Sequence, residues 1–192
     1  LGEDLFHDFA LDYLHHHPPT SYTIDHLADA FPRHLADTRP DREQPEELRE
    51  GWCDFICELA NLELEFLQVF DGPGLEDERL PSVDALLELD DERLLSLRPV
   101  PAPCLRVFSL RYPVHGYLAA ARRQEKPPMP RATVCHVAMS RWNYRVVFHD
   151  LTVTEHAVLT AIDGQRRAAD LIRGDMRLPA LRDLLASWTA KG

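Results

Sequence analysis

Apolar residues recur with the period of a helix over most of the chain and with the period of a strand beyond residue 131. Leu5, Phe6, Phe9, Ala10, Tyr13 and Leu14 form one stripe, which predicts a helix over residues 3–16. Pro18 and Pro19 end it, because proline lacks an N–H and disfavours helical backbone before it. A short helix is expected from Ile24, with Thr23 as its N-cap and Leu27, Ala30 and Phe31 inward. Pro32 then opens a second short turn through Leu35. The polar stretch 37–44 is a loop. The strongest periodic signal follows. Leu48, Trp52, Phe55, Ile56, Leu59, Leu62, Phe66 and Phe70 predict a helix over residues 45–70, about seven turns at 3.6 residues each. Pro45, Glu46 and Glu47 suit its first turn, and Gly72-Pro73-Gly74 stops it.

Residues 75–98 carry two short helical patterns. Ser82 caps the first, ahead of Val83, Leu86, Leu87 and Leu89, and Leu94, Leu95 and Leu97 mark the second. Pro99, Pro101 and Pro103 enforce an extended run, and residues 104–111 alternate as a strand. Pro113 opens a helix to about residue 124, with Val114, Tyr117, Leu118 and Ala121 inward. Lys126-Pro127-Pro128-Met129-Pro130 is a stiff linker. Beyond it, strands over 133–140 and 144–148 flank a turn at Arg141-Trp142-Asn143. Thr154 caps a helix through Ile162 that Gly164 ends, and residues 168–172 and 178–188 form two more. The expected class is α+β, mainly α. A helical domain over 1–125 and a Pro-rich linker over 126–131 lead to a winged-helix-like unit with a β-hairpin over 132–192.

Charge changes this picture. Net charge is −11, but residues 1–95 carry 6 basic and 25 acidic side chains, whereas residues 96–192 carry 15 and 7. Two readings stay open: a basic surface for an anionic partner, or a basic half that docks on the acidic half. The acidic half repels nucleic acid. No apolar run approaches the roughly 18 residues needed to span a bilayer, so no membrane association is expected. Residues 1–12 lack a basic n-region and a cleavage site, which makes a cytoplasmic location the expectation.

The sequence announces little chemistry of its own. It has no glycine-rich phosphate loop, Rossmann fingerprint, nucleophile elbow or His-Glu-x-x-His. His15, His16 and His17 are consecutive, so their side chains point about 100° apart on a helix and do not converge on one ion. Cys53 and Cys57 share a helix face, yet no second pair stands at metal-finger spacing, and both suit a buried core. Asp54, Glu58 and Glu65 on the long helix suit a solvated face. The absence of a catalytic set points to a binding or scaffold role.

Five stretches, in order, resemble one family. They are Leu1-Gly2-Glu3-Asp4-Leu5-Phe6, the segment from Tyr13 through His15-His16-His17-Pro18-Pro19-Thr20-Ser21, Phe31-Pro32-Arg33-His34-Leu35, Leu59-Ala60-Asn61-Leu62-Glu63 and Leu110-Arg111-Tyr112-Pro113-Val114. Together they resemble the HvfC/BufC family of peptide-modification chaperones, long labelled as DNA-binding. The resemblance implies a non-catalytic partner in the biosynthesis of ribosomally made, post-translationally modified peptides. Such a partner binds a precursor leader peptide and a TIM-barrel multinuclear non-haem iron oxidase that modifies cysteines, as a heterodimer. No cofactor or metal is then expected in this chain, with the iron in the enzyme. A further N-terminal helical stretch before Leu1 and a closing aromatic after Gly192 are also implied.

The hairpin is the expected place for the leader, which adds as a strand to a sheet edge. Tyr144, Val146 and Phe148 then share one face, and Arg145 and Val147 the other. Arg141, Arg145, Arg166 and Arg167 meet acidic leader side chains. The alternative is a DNA-binding regulator, which needs a basic recognition helix. Residues 178–188 carry only Arg182, balanced by Asp183, although Arg166, Arg167, Arg173 and Arg177 stand nearby.

Overall fold

The computed structural model describes residues 3–22, 26–76, 78 and 80–191, apart from the side chains of Glu3 and Asp4. The expected cap Thr23 and helix start Ile24 lie outside the described residues. In chain order, α1 (Glu3–His16) is followed by turns over 26–30 and by α2 (Phe31–Asp37), with Pro32 in its first turn. A 3-10 turn, Glu46–Leu48, precedes α3 (Gly51–Asp71). Next come α4 (Val83–Leu87), capped by Ser82, and α5 (Asp91–Ser96), capped by Asp90. Then follow β1 (Arg106–Leu110), α6 (Val114–Arg122), β2 (Cys135–Trp142), β3 (Arg145–Leu151) and α7 (Val153–Ala161). A 3-10 turn, Ala168–Leu171, and α8 (Leu178–Thr189) complete the chain. The class is α+β, and the described residues form one antiparallel sheet of order β1-β2-β3.

Several expected boundaries move for identifiable reasons. α3 begins at Gly51, not near Pro45, because Arg49 is extended and the Glu50 N–H is taken by the Asp41 carboxylate at 2.6 Å. Leu48 therefore lies outside the stripe and is exposed. Thr152, not Thr154, caps α7, through a reciprocal pair in which Thr152 Oγ1 accepts the Glu155 N–H and Glu155 accepts the Thr152 N–H. On α1 only Tyr13 of the predicted stripe is buried, while Leu5, Phe6 and Leu14 are exposed.

The chain packs as two compact units, Leu1–Glu65 with Arg111–Thr133 and Phe66–Leu110 with Val134–Gly192. Packing thus groups residues 66–110 with the C-terminal segment, whereas the proline pattern marks 126–131. The cause is long-range pairing: β1 joins β2, with Val107 opposite Ala138, and Arg182 of α8 donates to the carbonyls of Leu87 and Leu89 behind α4 and to Asp91.

In the first unit the Phe55 ring meets Tyr112 and Tyr117 edge-on, at 5.8 and 5.0 Å between centroids, and Leu62, Val114 and Leu118 are buried in the same unit. Asp54 and Glu58, expected on a wet face, hold this unit together instead. Asp54 accepts from Arg39 at 2.6 Å and Arg111 at 2.8 Å, and Glu58 takes the N–H groups of Arg111 and Tyr112 at 2.7 and 2.9 Å. Cys53 is buried in this core, and burial pushes its thiol up to about 11, which keeps it protonated and inert.

In the second unit both sheet faces are covered. Val146, Phe148, Met139 and Phe108 pack with Val69 and Phe66 at the end of α3. Ala138, Leu151 and Val107 pack with Leu159 and Trp188 of α7 and α8. Arg141 enters from β2 on the α3 side. Its guanidinium grips Glu76 with two hydrogen bonds, 2.7 and 3.0 Å, and donates to the carbonyls of Val69, at 3.0 Å, and Phe70. Those carbonyls are among the last of α3, where a helix has unpaired acceptors and its dipole favours a cation.

Gly74 is part of the same arrangement, because a Cβ there would collide with Glu76 and the Arg141 guanidinium. Gly74→Ala should cost about 1–3 kcal/mol, the usual range for an extra methyl in filled space. Arg141→Leu should cost more, since it leaves Glu76 and two carbonyls unpaired. Urea unfolding of both variants checks this order. Acid sensitivity follows from the same contacts. Hydrogen bonds from Arg39 and Arg141 hold Asp41 and Glu76 at about 2, below their ordinary 3.8 and 4.5. The unfolded chain binds more protons at these groups, so their contribution is complete at neutral pH and is lost as pH falls from about 4.5 towards 2. Urea midpoints should drop across that window, with a flatter profile in Asp41→Asn and Glu76→Gln.

Candidate peptide-binding site

The hairpin is closed by two residues, since Trp142 pairs with Arg145 and leaves Asn143 and Tyr144 between them. Both have positive φ, 48° and 61°, the backbone of a type I′ turn whose twist matches the flanking strands. Tyr144 is therefore in the turn and not in the strand where it was expected. Its N–H goes to Glu76, the carboxylate already holding Arg141. Turn and strand end are clasped together from below by one side chain.

This geometry sorts the residues expected to meet a peptide. Arg141 is corrected outright: at 7% exposure, with Glu76 and two helix carbonyls as partners, it is a structural residue and presents nothing to a ligand. Val146 and Phe148 share one face, as period two requires, and are half-buried against Met139 and Val69. Arg145 and Val147 are exposed on the other face. Arg166 and Arg167 are exposed in the segment after α7, each beside a local carboxylate, Asp163 at 3.4 Å and Asp170 at 3.5 Å.

Trp142, expected only as a turn residue, is 44% exposed and stands with Tyr144, 68% exposed, and Val147 at the hairpin end. The signal for it was present in the sequence, an aromatic on each side of Asn143, but its strand position depends on where the turn falls. Beyond the hairpin, an apolar cleft of about 580 Å³ is lined by Pro99, Pro101, Leu105, Leu159, Ile162 and Trp188, among others. The Trp188 indole N–H is buried and has no hydrogen-bond partner among the described residues. On the same sheet side His136 stacks on His156 at 4.2 Å, and burial lowers the His156 pKa, which favours a neutral ring. Burial, with Lys191 nearby, lowers that of His149 as well.

Among the described residues one group of side chains converges closely enough to hold a metal ion: Asp12, His16 and His34. It includes one of the three consecutive histidines and adds a partner from α2 that the helix geometry of 15–17 alone does not reveal. No protein-family model and no curated protein sequence matches this chain.

A residue with φ near +60° and a side chain other than Gly or Asn carries strain, about 1–2 kcal/mol. Tyr144→Gly keeps the N–H that Glu76 receives and should raise stability by about 1 kcal/mol, readable as a higher urea midpoint with an unchanged slope.

Proposed function

We propose that this chain is a non-catalytic partner protein in the biosynthesis of ribosomally made, modified peptides. It binds the leader of a precursor peptide and a TIM-barrel multinuclear iron oxidase, and the oxidase holds the iron and changes the cysteines. The reading rests on the family resemblance of the five sequence stretches. The structural observation that carries it is β3, a seven-residue strand that among the described residues is paired on one side only and that carries exposed Arg145 and Val147, with exposed Trp142 of β2 and Tyr144 of the turn beside its start. Unpaired strand edges accept extended peptides through main-chain hydrogen bonds. Trp, Tyr and Arg are the side chains that most often anchor such contacts.

In this proposal residues 132–192 act as a winged-helix-like module, with the hairpin as the wing and α7 and α8 behind it. The leader lies along β3, its acidic side chains facing Arg145, Arg166 and Arg167. The DNA-binding alternative has less support. Arg182, the basic side chain of α8, is turned onto the Leu87 and Leu89 carbonyls and onto Asp91. A duplex would meet an acidic chain with that cation already engaged. Among the described residues no helix is long and apolar enough to cross a membrane.

The test measures binding of the full chain to fluorescently labelled leader peptides taken from short reading frames next to its gene. Trp142→Ala and Arg145→Glu should each weaken binding about 30-fold, or about 2 kcal/mol, the scale of an anchor residue. A peptide N-methylated at consecutive backbone positions should bind no better than background, because strand addition uses the N–H groups that face the edge. Equal affinity for the methylated peptide would rule out strand addition.

A further inference from the structure

We infer that the first unit holds a divalent transition-metal ion on Asp12, His16 and His34. One ring nitrogen of each histidine and one carboxylate oxygen of Asp12 all lie within 4.8 Å of one another. Asp12 and His16 are four residues apart on α1, the spacing that brings two side chains onto one helix face. His34 comes from α2, and its Nε2 stands 2.9 Å from Asp12 Oδ2. The His16 ring is held against the same residue, with Nδ1 3.5 Å from Asp12 Oδ1 and 2.8 Å from the Asp12 carbonyl oxygen.

Zinc bonds of about 2.0–2.2 Å to His and Asp place tetrahedral donors about 3.3–3.6 Å apart. The three donors need to shift by no more than side-chain rotation provides. His34 is buried, and its ring is fixed by Tyr13 and His17 at 5.4 Å each, so one donor is preorganised while the other two close from the solvent side. Tyr13 is itself anchored, donating its hydroxyl to the Leu27 carbonyl.

Two histidines and one carboxylate form the ligand set that leaves a coordination position open, in zinc sites and in non-haem iron sites alike. An opening exists. His16 also lines a cleft of about 370 Å³ with His17, Thr20 and His26, which gives an ion a way in and offers an exchangeable donor. The site is independent of the peptide-binding reading, since all three ligands belong to the first unit and the hairpin to the second.

The experiment uses the untagged full chain, stripped with a chelator and titrated with Zn²⁺ in competition with a chromophoric chelator, and in parallel with Fe²⁺ under anaerobic conditions. One equivalent should bind and raise the melting temperature, as any ligand of the folded state does. Zn²⁺ should bind more tightly than Fe²⁺ if affinity follows the usual series, and the reverse order would assign iron to the same ligands. Asp12→Asn and His16→Gln alter exposed side chains, so circular dichroism should stay unchanged while Zn²⁺ affinity falls about 100-fold. Co²⁺ should give weak d–d bands without the thiolate charge-transfer absorption that binding at Cys53 and Cys57 produces. The inference is overturned if neither ion binds stoichiometrically, if both variants keep wild-type affinity, or if Cys53→Ser/Cys57→Ser abolishes binding.

Discussion

A single guanidinium ties together the end of the long helix, the turn after it and the sheet. Arg141 sits on the central strand, yet its partners are 65 to 72 residues earlier in the chain. Burial of a charge is tolerable only when its partner and its remaining hydrogens are satisfied, and here they are. Arginine fits where lysine would not, because its planar fork meets the Glu76 carboxylate with two parallel bonds and still reaches the helix carbonyls. The flanking choices follow. Gly74 leaves room for the pair, and Glu76 continues upward to the Tyr144 N–H. The shape of the hairpin end is thereby set from beneath, which frees Trp142, Tyr144 and Val147 to face outward.

The uneven charge of the sequence finds its answer in the same contacts. The N-terminal 95 residues have net −19 and the rest +8. Arg111 with Asp54, Arg141 with Glu76 and Arg182 with Asp91 each join a base from the second part to an acid from the first. Counted by compact unit, the charges are −8 and −3, so most of the contrast disappears when the chain folds. Part of the asymmetry is thus compensated within the fold, while Arg145, Arg166 and Arg167 stay exposed.

What was legible in the sequence was local. The periodic stripe of α3, the Ser82 cap, the existence of a hairpin and the α8 helix all rest on neighbours within a few residues, where spacing alone is informative. Position within the hairpin was not. Asn143 announces a turn, but Tyr144 at positive φ is an unusual choice, and a shift of the turn moves Trp142 into the strand. Contacts across long separations were equally hidden. Nothing near Arg141 indicates that Glu76 awaits it, and nothing near His16 indicates His34, because only the fold brings α1 and α2 together. The side chains with most chemistry are those whose partners lie furthest along the chain.

The two units interleave along the polypeptide, and this has a bearing on synthesis. The chain begins one unit, leaves at residue 66, builds β1, returns at 111 and departs again at 134. On the ribosome the first unit lacks Arg111 and Tyr112, which Glu58 holds, until more than fifty further residues have followed Glu58. β1 meanwhile emerges with both edges bare and waits for β2. No single cut releases either unit whole, and a fragment starting at the proline-rich segment would carry the hairpin without β1, Glu76 or the helix end that Arg141 seals.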